Sequence, residues 1–254
     1  MKAHTGTRVS VLCACCVALL VCGCSTLTQT GPNSLPPRRT YEAVITDGGP
    51  HLLEVDDPIE ALNRGTYRFN YYFDEYLYRP VVRAYEIVLP DYLKDRISDA
   101  LDNIGEFGNL TNNLLQIKLK DAGITLSRVV INSTAGFGGL WDPATTLGLT
   151  RKPADFGQTL GRYGVGSGPY LVLPVLGPSN VRDTTGLAAD GAAFSLVGPV
   201  AWVNELAVSA TYGGINALDK RHRIPLRYHQ TGSPFEYDLL RMLYTIKREF
   251  DVAN

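Results

Sequence analysis

The sequence predicts a mainly helical protein with one folded domain, residues 57–254, and three observations carry that expectation. Apolar residues recur at three- and four-residue spacing from Ile59 to Leu77 and again from Leu93 to Ile104. Clean alternation of apolar and polar residues, the mark of half-buried strands, is scarce. About 200 residues at the whole-chain hydrophobic content of 45% suffice for one sizeable core. No internal repeat is evident.

Residues 1–23 read as a secretory leader rather than as part of the fold. Lys2 and Arg8 give a positive start, Val9 to Val21 is a short apolar run, and no acidic residue precedes Glu42. The run falls short of the about 20 apolar residues that a spanning helix requires. Val21-Cys22-Gly23-Cys24 resembles the lipobox of bacterial lipoproteins, in which the cysteine is acylated and becomes the first mature residue. The alternative is ordinary cleavage nearby, with Cys24 unmodified. All five cysteines (Cys13, Cys15, Cys16, Cys22 and Cys24) lie in this stretch, so the mature chain keeps one and has neither a disulfide nor a thiolate metal site. Several acyl chains on Cys24 would anchor durably, since each buried CH2 contributes about 0.8 kcal/mol. Ser25 stands where lipoproteins retained at the inner membrane commonly carry aspartate, which implies the outer membrane and its periplasmic face.

Residues 24–56 read as a tether: Pro32, Pro36, Pro37, Gly48, Gly49 and Pro50 accompany little apolar periodicity. Fully extended it would reach about 100 Å, and as a flexible coil it would average about 30 Å. Removing Lys2 and Arg8 with the leader leaves 22 basic against 25 acidic residues, a balance of about −3 and no footprint for nucleic acid.

Asp57-Pro58 opens the first helix, with an acid at the N-cap, proline in the first turn and Glu60 near the positive end of the dipole. Ile59, Leu62, Thr66, Phe69, Phe73, Tyr76 and Leu77 mark one face. Pro80 is expected to interrupt or kink this helix, Val81 to Leu89 to continue it, and Pro90 to stop it. A second helix fits Tyr92 to Ile104. A third fits Thr111 to Ile131, its apolar pattern broken at Gly123. Tyr67, Phe69, Tyr71, Tyr72, Phe73, Tyr76, Tyr78 and Tyr85 point in more directions than one buried stripe needs. Core packing is one reading of them; contact with a membrane interface, where tyrosine collects, is the other.

The stretch from Gly161 to Asp183, GRYGVGSGPYLVLPVLGPSNVRD, places glycines before an apolar run that Pro174 and Pro178 interrupt. Beyond it, TTGLAADGAAFSLVGPVAWV is apolar and rich in small residues, yet carries Asp190. A soluble helix would show a polar stripe, and a transmembrane one would lack the aspartate, Gly191 and Pro199. A segment within or beside a bilayer, its polar groups turned to a water-filled interior, meets both conditions; a buried central helix is the alternative.

Enzymatic motifs are missing. A Walker loop needs a lysine after its glycines, and none occurs between Lys152 and Lys220; the dinucleotide fingerprint needs a different glycine order and a following helix. Ser167 lacks the G-x-S-x-G spacing of a nucleophile elbow. Of the mature chain's histidines, His51 lies in the tether and His222 among Lys220, Arg221 and Arg223, which leaves His229. No histidine–carboxylate motif points to a metal. The sequence therefore predicts no catalytic residue, no metal and no cofactor.

Three blocks, DPIEALNRGTYRFNYYFDEYLYRPV (Asp57–Val81), INSTAGFGGLWDPA (Ile131–Ala144) and ADFGQTLGRYGVGSGPYLVLPVLGPSNVRD (Ala154–Asp183), resemble the signature blocks of the VacJ/MlaA outer-membrane lipoproteins, in the family's order. Ala154 departs from the acidic or polar residue common there. The resemblance implies a helical ring in the periplasmic leaflet, beside a trimeric porin, around a central amphipathic channel. Through it, phospholipids mislocalised to the outer leaflet would pass to a periplasmic lipid carrier that feeds an inner-membrane ABC transporter. It makes Gly164, Gly166 and Gly168 a flexible loop or gate, with Pro169, Pro174 and Pro178 stiffening the adjoining apolar segment. Arg182 would meet a phosphate while Asp183 and Asp190 keep the lumen wet. The structural alternative pairs Arg182 with a nearby acid and places Asp183 at a helix start. Asn63, Arg64, Phe69 and Asn70 would hold the ring together through interhelical contacts. A non-transporting scaffold that clamps porins and a lipid hydrolase are the competing functions.

Overall fold

A computed structural model describes residues 55–199, 206–225, 227–229 and 232–254. The expected leader, Cys24, the tether through residue 54 and the apolar stretch at 200–203 lie outside the described residues. Contacts divide the described chain into two compact units, residues 229–236 and the remainder. In the short unit the Gly232 N–H donates to the His229 carbonyl (3.3 Å) and the His229 N–H to the Glu236 carboxylate (2.6 Å).

The larger unit is mainly helical. Its elements are α1 (Glu60–Phe73), a π-helical turn (Asp74–Tyr78), α2 (Arg79–Val88), α3 (Asp91–Leu115), α4 (Leu119–Thr134), the single turn α5 (Pro143–Thr146), α6 (Phe156–Arg162), strands β1 (Tyr170–Leu173) and β2 (Gly177–Asn180), α7 (Val181–Val197) and α8 (Leu206–Arg223); α9 spans Glu236–Ala253. The strands form an antiparallel hairpin with Tyr170 opposite Asn180 and Leu173 opposite Gly177.

Several boundaries differ from expectation. Ile59, not Asp57, occupies the α1 N-cap, and it makes no side-chain cap. The Asp57 carboxylate instead accepts from Asn63 (2.7 Å), the Tyr237 hydroxyl (2.5 Å) and Arg241 (3.1 Å), tying the start of the domain to α9. The irregularity expected at Pro80 lies upstream in the π turn, which runs on through helical backbone (Tyr78 φ −74°, ψ −49°) into the first turn of α2, where Pro80 falls. The expected Thr111–Ile131 helix is two helices: α3 runs on to Leu115, Ile117 takes a left-handed φ of 57°, and α4 starts at Leu119. The proline-interrupted apolar run forms the β-hairpin, because its prolines fall at the turn and at a strand position that the register tolerates.

Burial is inverted. Among the described residues nine hydrophobic side chains are buried against twenty-two polar or charged ones, so polar contacts and not oil hold the interior. α1 buries Asn63, Tyr67 and Asn70 and exposes Leu62 and Phe69; α4 buries Thr125, Arg128 and Asn132 and exposes Leu126 and Val130. α3 buries Asn103, Glu106, Asn109 and Asn113 at helical spacing, while Leu93, expected within an apolar register, is exposed. Most of the buried groups find partners, though the Asn103 Oδ1 and Gln116 Oε1 atoms have none among the described residues. Arg128 donates to Glu106 (2.8 Å), Asp142 (2.9 Å), Thr145 (3.0 Å) and the Leu149 carbonyl (2.5 Å), fastening α3, α4 and α5 together. An apolar cluster of Tyr67, Tyr170, Val172 and Tyr237 remains, its rings packed edge-to-face.

Candidate functional site

The hairpin, α7 and α9 enclose a cavity of about 200 Å³ with two unlike walls. Leu173, Leu176 and Pro178 of the hairpin and Leu187 of α7 supply apolar surface, and Asp155, Asp183, Asp190 and Arg248 supply charge. Asp183, Leu187 and Asp190 reach it together because residues four and three apart share one helix face.

The elements are locked by short-range chemistry. Asn180 caps α7 by accepting from the Asp183 N–H (2.7 Å), and Asp155 caps α6 by accepting from the Gln158 N–H (2.8 Å). α6 and α7 touch at a glycine pair: a Cβ on Gly186 would lie 2.3 Å from the Gly157 nitrogen. Asn63 and Asn70 seat the hairpin on α1. The Asn63 carboxamide donates to the Tyr170 carbonyl (3.0 Å) and accepts from the Val172 N–H (2.9 Å); Asn70 repeats the pattern with the Leu173 carbonyl (2.9 Å) and the Val175 N–H (2.7 Å). Their partners are thus strand and turn backbone, with the Asp57 carboxylate in addition for Asn63. Arg64 does join two helices, through Glu60 (2.5 Å) on α1 and Asp238 (3.1 Å) on α9. Phe69 is exposed, its ring 6.0 Å from that of Phe73 on the same helix.

The charged wall centres on Arg248, which donates to Asp155 (2.7 and 2.8 Å) and to Asp183 (2.7 and 2.9 Å). Asp183 also accepts from Tyr244 (2.8 Å), Asn180 (2.7 Å) and Arg182 (3.1 Å). Burial works against the charged Asp183, yet the bonds from Arg248 and Tyr244 outweigh it and hold its pKa down at about 2. Asp155 is likewise lowered, burial opposing and Arg248 prevailing. Asp190 accepts from Asn112 (2.8 Å) and the Phe156 N–H (2.8 Å), linking α7 to α3 and α6. Asp155 and Asp183, held ionised by Arg248, are poor proton donors at neutral pH.

Arg182 is buried and directed at Asp183, the pairing that the structural alternative describes. The glycine loop lies next to it. Gly164 (φ 87°) and Gly168 (φ 65°) adopt left-handed backbone that glycine alone takes without strain, whereas Gly166 does not. The space around Gly164 and Gly166 is open. The loop's ends are fixed by the Val165 N–H to the Leu160 carbonyl (3.0 Å), the Arg182 N–H to the Ser167 carbonyl (3.1 Å) and the Val181 N–H to the Pro169 carbonyl (3.2 Å).

Sequence reasoning singled out Asp190 as a charge inside an apolar segment and Asp183 through the family resemblance, and both line this cavity. It missed Arg248, Tyr244 and Asp155, which come from other elements. The readable signal it passed over is the polar stripe Asn103, Glu106, Asn109, Asn113, which shows that α3 faces a wet or hydrogen-bonded interior. Among the described residues no group of three His, Cys, Asp or Glu could hold a metal, and no helix is long and apolar enough to cross a membrane.

Comparison with known proteins bears on this architecture. A family model described as MlaA lipoprotein matches residues 55–251. An uncharacterised protein of Rickettsia prowazekii is 40% identical over 146 residues, 58% of this chain and 57% of its own length. The intermembrane phospholipid transport system lipoprotein MlaA of Escherichia coli is 37% identical over 139 residues, 53% and 55% of the two chains. The MlaA of Haemophilus influenzae is 32% identical over 142 residues, 55% and 57%. The chain thus spans about half the length of the curated relatives it matches. A chain solved for the structural basis for maintenance of bacterial outer membrane lipid asymmetry superposes with a TM-score of 0.64 at 28% identity, over 77% of this chain and 98% of that one. With nearly the whole described domain inside the family model, the chain belongs to the MlaA lipoprotein family.

Proposed function

We propose that the chain is an outer-membrane lipoprotein, anchored through Cys24 with residues 24–56 as tether, whose domain from residue 57 passes phospholipids mislocalised in the outer leaflet to a periplasmic carrier. The observation that carries this reading is the inverted burial: apolar faces point outward and polar faces inward, the arrangement a protein needs when lipid surrounds it and a polar headgroup moves through it. The unlike walls of the cavity under the hairpin match the two halves of such cargo, charge and hydrocarbon, while its about 200 Å³ admits only part of a phospholipid. Gly164, Gly166 and Gly168 border the route as a gate, Pro169 limits its travel, and Arg182, Asp183 and Asp190 form its polar side. A porin trimer and a carrier feeding an ABC transporter complete the path. The protein performs no covalent chemistry in this role.

The test is outer-leaflet phospholipid in cells lacking the protein, with and without a plasmid copy. Accumulation that the copy reverses supports the conduit; an unchanged level overturns it. The fixed polar wall around Arg248 favours the scaffold as second reading. Gly166→Pro, at a position with open space around it, separates the two. A conduit loses lipid traffic while porin association persists, and a scaffold loses neither.

A further inference from the structure

A second cavity, of about 180 Å³, lies between α2 and the C-terminal end of α8, remote in sequence from the hairpin. Its lining is strongly basic: Arg79, Arg83, Arg221, Arg227 and His222 stand against one acid, Glu86. Much of this charge is already engaged. Arg221 forms a two-pronged pair with the buried Asp74 (2.6 and 2.8 Å), Arg79 pairs with Glu75, and the His222 Nδ1 meets Glu86 at 2.7 Å. Arg83 and Arg227 are different. Both are exposed, and among the described residues neither has a carboxylate partner.

Two uncommitted guanidiniums converging on one hollow, with two more behind them, favour a ligand that carries several acceptor oxygens on a negative centre. Guanidinium matches phosphate in shape as well as in charge. In the last turn of α8 Lys220 adds to the field, while Arg221 is paired with Asp74 and Arg223 with Asp102 and Asp219.

The remainder of α2 identifies the bearer of that phosphate. Arg79, Arg83 and Glu86 fall on one face; Val81, Ala84 and Val88 lie about half a turn away and are exposed, at 3.6 residues per turn. Ile87 and Ile224 extend the exposed apolar surface, Ile224 at the cavity's own lip. A helix with arginine on one side and aliphatic residues on the other lies in the plane of a lipid interface, its basic face at headgroup level. We infer that this cavity binds the phosphate of an anionic phospholipid at the margin of the apolar surface, as a second lipid site separate from the hairpin cavity. The inference rests on the proposal that lipid surrounds the domain; it does not require lipid to pass through it.

The purified full chain in neutral detergent micelles is titrated with phosphatidylglycerol and, in parallel, with phosphatidylcholine, and retained lipid is read by native mass spectrometry. The wild type should favour phosphatidylglycerol, and the Arg83→Gln/Arg227→Gln double variant should lose about tenfold in that retention, as expected for losing two charge-assisted hydrogen-bond donors. Both positions are exposed and unpaired, so unaltered circular dichroism is expected. Arg83→Lys/Arg227→Lys should recover part of the loss by keeping charge without the fork. Lipid held in the hairpin cavity would be retained by wild type and variant alike, so failure of the conduit reading leaves the difference readable. Equal retention by wild type and the Gln variant, or equal retention of the two lipids, overturns the site. Displacement of phosphatidylglycerol by free glycerol phosphate at comparable concentration would overturn the lipid as source and assign the cavity to a soluble phosphate ester; resistance to displacement supports the lipid.

Discussion

Arg248 and Asp183 show how a charge survives in a small domain: each is surrounded by partners contributed from another part of the chain. Replacing Arg248 by methionine keeps much of the side chain's bulk but strands Asp155 and Asp183, and breaking a buried pair from one side costs about 3–5 kcal/mol. Urea denaturation in mild detergent should show that loss. Acid should act on the same groups. Asp183 and Asp142 are both held at about 2, below an ordinary carboxylate at about 3.9. A lowered folded-state pKa adds stability above the unfolded value and loses it as pH falls through the folded one. The denaturation midpoint should therefore hold steady down to about pH 4 and fall between about pH 4 and pH 2. In Arg248→Met that fall should be shallower, because Asp183 without its chief donor has a folded-state pKa no longer held far below its unfolded one. Of this cluster the family resemblance pointed to Arg182 and Asp183. Arg248 lies 65 residues away on a helix with no distinguishing motif, and only the fold brings it near.

At the scale of elements, the hairpin is an edge completed by side chains. Asn63 and Asn70 each present a carboxamide that donates and accepts as a neighbouring strand would, so α1 stands in for a third strand. Asn70→Ala should speed hydrogen exchange at the Val175 amide and Asn63→Ala at Val172, each by an amount equivalent to about 1–3 kcal/mol, while amides inside α4 keep their protection. The helices between residues 60 and 134 were legible from apolar spacing and from proline at their boundaries, whereas α5, α6, α8 and α9 were not assigned. The hairpin was not, because four residues per strand leave too little alternation to register, and its turn hides among prolines. The break between α3 and α4 was hidden as well: Ile117 takes a left-handed angle that its side-chain type does not advertise.

Across the whole molecule, periodicity revealed that each helix has two faces but not which of them is inside. Spacing is symmetric in that respect; the buried carboxamides of α1, α3 and α4 break the symmetry, since side chains that need partners must be placed where partners are. A polarity-sensitive dye on Ile87→Cys should shift to the blue when the full chain is added to phospholipid vesicles, and the same dye on Lys247→Cys, beside a polar cavity, should shift less. Equal shifts would deny the outward apolar faces a lipid environment. These faces also constrain the protein's history. Leu62, Phe69, Tyr76, Ile87 and Val88 are exposed once the chain has folded, and folding cannot withdraw them. In an aqueous compartment such a surface seeks other copies of itself. Any journey from the site of synthesis to a bilayer therefore calls for an escort that sheathes these residues, and delivery becomes an exchange of one greasy covering for another.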